Sequence, residues 1–228
     1  MEVTLAIDKF FYKATPLWDH LSADVLNNLF SNTALQTYKK NATIVHDFEY
    51  SAGIYNIRKG FVKIYSVNPN GSEDIVFILG RDSIFGVTPI FNNERCGVFA
   101  TAITDCEIEL VSKETVKKEM EKSPEFSQAI VLYLAQMAKM LNIKLLDYAR
   151  KPLLGRVAIS LLALDNNLKL NSTLAFSRED LANYIGTAVE SLVRQIKKLK
   201  TDNLIIVKGR KITIIDYNGL TKVATGLV

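Results

Sequence analysis

Cysteine and histidine are scarce in this chain, at two each in 228 residues. Cys96 and Cys106 form neither a CxxC metal pair nor a disulfide framework. Two thiols cannot hold a four-cysteine iron–sulfur cluster within one chain, so no such cluster is expected. His20 and His46 are too few and too far apart for a zinc site and read as surface or loop residues. No metal ligand set is nominated. Long apolar runs are also lacking. Residues 129–135 are the longest obvious one, well short of the roughly 20 needed to span a bilayer. The first residues, Met1-Glu2-Val3-Thr4, lack the basic stretch and cleavage site of a signal peptide. The expectation is a cytoplasmic protein with no membrane partner. There is no Gly-rich phosphate loop, nucleophile–base pair or plausible carboxylate pair. No catalytic residue is nominated, and the chain is not expected to be an enzyme.

What is present is ordinary globular material, 48% hydrophobic and 23% charged, enough for one large or two modest domains. The net charge of +4 conceals an asymmetry. Residues 150–228 hold 13 of the 28 Lys and Arg but only 6 of the 24 Asp and Glu, a net of +7 against −3 for the remainder. A basic C-terminal part on an acidic N-terminal part fits nucleic-acid binding confined to one end.

Residues 177–194 organise that basic part. Ser177 can cap a helix, with Asp180 completing a capping-box-like start. Leu181, Ala182 and Ile185 make one apolar face, and Gly186 ends the helix. A second helix starts after Thr187-Ala188. Its Leu192, Ile196 and Leu199 point inward, while Glu190, Ser191, Arg194, Lys197 and Lys198 point away. This is the helix-turn-helix pattern, the second helix suited to a major groove. Taken alone, the stretch is equally an ordinary helical hairpin with a solvated face. The flank decides. Two β-branched runs surround Lys208-Gly209-Arg210-Lys211, which reads as a hairpin with a basic tip. A helix-turn-helix followed by such a hairpin is a winged helix, its tip placed on phosphates.

The motif Gly186-x-x-Val189-Glu190-Ser191-x-x-Arg194, then Lys197, Leu199 and Asn203-Leu204-Ile205, resembles the DNA-binding domain of the Crp/Fnr family of bacterial transcription regulators. The resemblance implies that Glu190 and Arg194 reach base edges and that Ser191 binds phosphate. Val189 departs from the cyclic-AMP receptor branch, which has arginine there, and is closer to the fumarate–nitrate branch. Val193 departs from the latter, where serine is usual. The chemistry agrees: arginine donates twice to guanine, glutamate accepts from cytosine N4, and valine offers only apolar contact with a thymine methyl. A half-site such as TTG is expected, its G read by Arg194. Ser177, Arg178, Ser191, Lys197, Lys208 and Arg210 are the expected phosphate contacts.

Upstream, Trp18, Leu21, Val25, Leu26 and Leu29 suggest a helix with Ser22 as N-cap. Short strands are expected over 35–38, 43–46, 53–58, 61–67, 74–79, 98–103 and 107–111, a spacing that argues a sandwich or barrel. Residues 54–65, Asn70-Gly71-Ser72-Glu73 and Phe85-Gly86 resemble the Crp/Fnr sensor domain, which implies a cyclic-nucleotide-binding-type jelly roll. Its effector pocket would involve Phe85, Gly86, Arg95 and Cys96. Where cyclic-AMP-binding members place a ribose-holding glutamate after Phe-Gly, this chain has Val87. Arg95-Cys96-Gly97 stands about one residue short of the family's phosphate-binding pair. Cyclic AMP is therefore not the expected effector, and the effector's identity stays unknown. Cys106, in an apolar strand, reads as core. Cys96 reads as structural, with a redox role open if Arg95 favours its thiolate.

A charged helix is expected over 113–121, then a long helix from Pro124 to about Tyr148. Ile130, Leu134, Met137 and Leu141 form a heptad-like seam, and Val131, Ala135, Ala138 and Leu145 a second stripe. The family resemblance implies a dimer helix, and the first seam is assigned to it. Pro152 breaks the helix. Residues 166–176 read as loop with a short strand, and the tail from Tyr217 as a short helix. The expected architecture is α+β: a sensor domain over 1–122, a dimerisation helix over 123–149 and a winged helix over 150–228. The expected function is a homodimeric regulator binding palindromic double-stranded DNA, with RNA polymerase an implied partner. The alternative is a cyclic-nucleotide-binding-like module that regulates a protein partner without DNA.

Overall fold

Alternation between inward and outward residues fails where a strand is covered on both faces. In the computed structural model, which describes residues 17–92, 94–168, 170–171 and 173–226, Gly53–Lys59 is that strand. Its first five residues are all buried. The strand, β3, lies inside an antiparallel sheet ordered β1 (Leu35–Tyr38), β8 (Cys106–Ser112), β3, β6 (Ile84–Phe85). A second antiparallel sheet runs β2 (Thr43–Val45), β7 (Phe99–Ala102), β4 (Val62–Val67), β5 (Glu73–Leu79). Tyr55, Ile57, Cys106 and Ile108 of the first meet Val45, Val62, Ile64, Ala100 and Ala102 of the second in the sandwich core.

The other face of the first sheet presents Ile54, Ile84 and Val111 to helices. They pack with Val25 and Leu29 of α1 (Ala23–Phe30), Ile90 of α2 (Thr88–Asn92), Val116 of α3 (Lys113–Lys122), and Phe126 and Ile130 of α4 (Pro124–Arg150). Each such side chain contributes about 1.5–3 kcal/mol on burial. Asn56 is the polar exception on this face, fully buried. It accepts from Trp18 Nε1 at 3.1 Å and donates to Glu109 at 3.3 Å, so neither end of its amide is orphaned.

Strands occupy all seven stretches expected for them, with ends shifted by a residue or two. The two-residue β6 and five-residue α2 are too short to show a period and escape the sequence pattern. Ser22 precedes α1, but it does not cap it. Its N–H and hydroxyl go to the Glu125 carboxylate, at 2.7 and 3.0 Å. The opening residues, read above for a leader, lie outside the described residues, as does the side chain of His20.

Helix α4 is a single 27-residue element. Among the described residues it is the one helix long and apolar enough, by length and composition, to cross a membrane. No unbroken apolar run marks it in the sequence, because Gln128, Gln136, Lys139 and Asn142 interrupt it. Its apolar residues divide between two faces. Ile130 is 1% exposed, and Leu134 packs against the same helix-side core. Val131 and Leu145 are 65% and 67% exposed. The seam assigned to a partner above must therefore be corrected: Ile130 and Leu134 face the chain's own sandwich, Met137 is half-buried, and of the four only Leu141 is open. The open stripe runs Val131, Ala135, Ala138, Asn142, Leu145, Ala149. Both stripes obey heptad spacing, so spacing alone could not say which one the sandwich takes.

The described residues fall into two compact units that divide between Met137 and Ala138, inside α4 rather than at its end. The last turns of α4 belong with the winged helix because they bond to it. Tyr148 donates its hydroxyl to the Tyr184 carbonyl at 2.8 Å, and Lys151, just past the helix, reaches the Ala224 carbonyl at 2.6 Å. In this second unit α5 (Leu153–Leu168) is the central buried helix, and α8 (Tyr217–Thr225) packs along it, with the Tyr217 hydroxyl donating to the buried Asp165. A small sheet ordered β10 (Ile205–Lys208), β11 (Lys211–Ile214), β9 (Thr173–Leu174) closes it.

Candidate nucleic-acid interface

Two helices meet at Gly186. The first, α6 (Arg178–Ile185), is capped by Ser177, whose Oγ accepts from the Asp180 N–H at 2.9 Å and donates to the Asp180 carboxylate at 2.5 Å. Leu181, Ala182 and Ile185 are buried. Gly186 then turns left-handed at φ +69°, a region costly to any residue with a Cβ. A Cβ there would also stand 2.7 Å from the Tyr148 ring. The turn of the motif is thus pressed directly onto α4.

The second helix, α7 (Val189–Thr201), buries Leu192, Ile196 and Leu199. Val189, Glu190, Val193, Arg194 and Lys197 form its exposed face. Glu190 and Arg194 are opposite in sign and one turn apart, yet they do not pair. Arg194 instead donates to the Ser191 hydroxyl at 3.1 Å, which steadies the guanidinium and leaves the Ser191 O–H to donate elsewhere. Val193 is 46% exposed beside them, an apolar residue on a polar helix face. Asn203 follows at φ +56° and turns the chain into the hairpin.

Strands β10 and β11 pair in register from Ile205↔Ile214 to Lys208↔Lys211, leaving Gly209-Arg210 as a two-residue turn. Gly209 has φ +59°, as a glycine at the first central position of a type II′ hairpin should. Lys208, Arg210 and Lys211 are all exposed at this tip. Two of the expected phosphate contacts are engaged within the chain. The Ser177 hydroxyl is spent on its own helix as both donor and acceptor. Arg178 donates Nη1 to the Arg210 carbonyl at 3.2 Å and Nη2 to the Gly209 carbonyl at 3.1 Å, and burial lowers its pKa from the ordinary arginine value. Sequence shows which residues carry donors but not which donors are already taken.

Behind the turn sits a cluster that sequence reasoning missed. Lys144 of α4 lies 4.1 Å from the centroid of the Tyr184 ring and 5.8 Å from that of Tyr148, and burial pulls its pKa down to about 8. Arg156 stacks over the other partner, 5.3 Å from the Tyr148 centroid. Burial pushes the Tyr184 phenol up. Lysine on a helix that also exposes lysine gives no sequence signal of such a position.

Phe85 is buried and stacks on Tyr55 at 4.8 Å, and the Gly86 carbonyl accepts from Ser51 at 3.0 Å. Val87 faces the helix-side core. Arg95 is exposed and bridges to Tyr50 through the backbone, whereas Cys96 takes the inward position against the sandwich core. Burial, then the Glu49 charge, raises the Cys96 thiol, so Arg95 does not activate it. A cyclic nucleotide needs a cation for its phosphate and an acceptor for its ribose. Of the residues expected at those two places, Arg95 is exposed and Val87 turns to the helix-side core, so neither of them presents such a group to the sandwich core. No group of three or more His, Cys, Asp or Glu among the described residues is placed to hold a metal ion.

Comparison with known proteins follows this division. Residues 35–123 match the cyclic nucleotide-binding domain and residues 155–223 the Crp-like helix-turn-helix domain. The chain is 24% identical over 196 residues to the cAMP-activated global transcriptional regulator CRP of Haemophilus influenzae, covering 83% of this chain and 88% of that one. It is 24% identical to the global nitrogen regulator of a Nostoc species, covering 79% and 84%. Its fold matches FixK2 from Bradyrhizobium japonicum with a TM-score of 0.76 at 22% identity, over 84% of this chain and 96% of that one. A c-di-GMP responsive regulator, CLP of Xanthomonas campestris, matches at 0.73 and 20%, over 86% and 100%. A β-sandwich sensor, a long helix and a winged helix on one α+β chain define a class of two-domain regulator. The chain belongs to the Crp/Fnr family of DNA-binding transcription regulators.

Proposed function

We propose that two copies of this chain, joined along α4, read a palindromic DNA site with Glu190, Arg194 and Val189 of each α7. The observation that carries this reading is the exposed face of α7. Glu190 and Arg194 have an opposite charge within reach and are not spent on it. Arg194 is the guanine reader and Glu190 the acceptor for cytosine N4, while Val189 and its neighbour Val193 suit thymine methyls. Ser191, Lys197, Lys208 and Arg210 face the phosphates. Two recognition helices would enter successive major grooves about 34 Å apart. The open α4 stripe supports dimerisation: apolar residues at heptad spacing, with Asn142 among them as the kind of polar residue that fixes register. A regulator acts where the DNA is, which places it in the cytoplasm, with RNA polymerase as its partner there. The sensor domain takes an effector other than cyclic AMP. Relatives of this fold are named for different signals, and Arg95 here faces outward. The rival reading, a module that controls a protein without DNA, has no use for a polar α7 face or a cationic wing.

Selection from random DNA tests the proposal. A half-site containing TTG is expected, and Arg194→Ala should lower affinity by about 1–3 kcal/mol while relaxing preference at the G. Selection of sites without that G, or indifference to Arg194→Ala, contradicts it.

A further inference from the structure

The wing of this protein is held in place by a residue outside it. A two-residue hairpin turn satisfies its first and last residues through the Lys208↔Lys211 pair, but the carbonyls of the two central residues have no partner in the ladder. Arg178 takes both of them, through Nη1 and Nη2 of one planar guanidinium. It sits at the first position of α6, immediately after the Ser177 cap, so its backbone is fixed by the helix-turn-helix itself. A guanidinium is suited to this: its N–H groups form a rigid fork, and a charged donor makes the stronger kind of bond to a neutral carbonyl. The arrangement brings a fourth cation against Lys208, Arg210 and Lys211, which are already exposed together at the tip.

We infer that Arg178 is a positioning residue that locks the wing onto the helix-turn-helix, so that the wing cations meet the phosphate backbone as one rigid set. Its effect on DNA binding runs through the wing rather than through a phosphate of its own. The inference rests on the DNA-binding reading above and goes beyond it.

The two roles separate in salt dependence. A residue that neutralises one phosphate changes the slope of log K against log salt by about 1. Loss of a docked wing removes the contacts of up to three cations, so Arg178→Ala should lower that slope by about 2–3. Arg178→Lys keeps the charge but loses the fork, and should behave like Arg178→Ala rather than like wild type. In a background carrying Lys208→Ala, Arg210→Ala and Lys211→Ala, Arg178→Ala should change affinity less than about twofold, because nothing remains to position. Without DNA, amide hydrogen exchange at Lys208 and Lys211, the pair that closes the turn, should speed up in Arg178→Ala while thermal unfolding stays cooperative. A slope change near 1, rescue by lysine, or an undiminished effect in the wing-neutral background would make Arg178 a plain phosphate contact and overturn the inference. Unchanged exchange at the turn overturns it too. Should the wild-type chain bind no DNA, the functional reading fails, and the exchange experiment alone decides the lock.

Discussion

Gly186 and Gly209 both hold positive φ, at +69° and +59°, and the difference between them is informative. Nothing lies within 4 Å of where a Gly209 Cβ would be, so alanine there bears only the conformational cost, about 1 kcal/mol. At Gly186 the same cost is joined by a collision with the Tyr148 ring, which cannot swing away without giving up its bond to the Tyr184 carbonyl. Gly186→Ala should therefore destabilise the winged-helix unit by about 2–4 kcal/mol, measured by thermal unfolding. In a Tyr148→Ala background the collision is gone, and the added cost should fall to about 1 kcal/mol. Equal penalties in both backgrounds would mean the turn is not packed against α4. Residue by residue, the recognition motif was readable because its chemistry is declared by side-chain type: Glu190 accepts, Arg194 donates, and spacing puts them on one face. The engagement of the Ser177 and Arg178 donors was not readable for the converse reason, since their partners are ones that only folding brings near.

Among elements, strands and helices longer than about four residues were legible from alternation and heptads. What spacing left open was direction. Helix α4 carries two apolar stripes of equal regularity, and the sandwich chose the one containing Ile130 and Leu134. Its neighbour Phe126 is fully buried a turn earlier, which extends that stripe into the core. Substitutions on the two faces should consequently fail in different ways. Leu145→Asp on the open stripe should shift sedimentation from dimer to monomer and weaken binding to a palindromic site, with helical content retained. Ile130→Asp should instead cost several kcal/mol of sensor stability, since it buries an unpaired charge. If Leu145→Asp leaves the oligomer intact, the open stripe is not the subunit contact. The same logic explains why the wing tip was legible and its lock was not: hairpin strands announce themselves in sequence, whereas a side chain that reaches them from residues far upstream does not.

At the scale of the whole molecule, one partly buried lysine couples stability to pH. Lys144 titrates near 8 in the folded chain against an ordinary 10.5. Below about pH 8 both folded and unfolded chains carry the proton, and the folded one bears the cost of an ammonium held away from water. The Tyr184 and Tyr148 ring faces offset only part of it. Between about 8 and 10.5 the unfolded chain still holds a proton that the folded chain has released, so unfolding free energy rises with pH through that window. The full shift corresponds to about 3 kcal/mol. The groups around Lys144 do not mimic this. Burial moves the Tyr184 phenol above the window. Asp147, raised by burial against the pull of Lys151, is a carboxyl that changes charge on the acid side of it. Lys144→Met, similar in length and without the charge, should stabilise the protein by about 2–3 kcal/mol at pH 7 and flatten its stability between pH 8 and 10. Urea unfolding at half-unit pH steps would show it. A Lys144→Met curve that climbs in parallel with wild type would assign the slope to another group, and the ammonium would then be solvated rather than enclosed between the tyrosines.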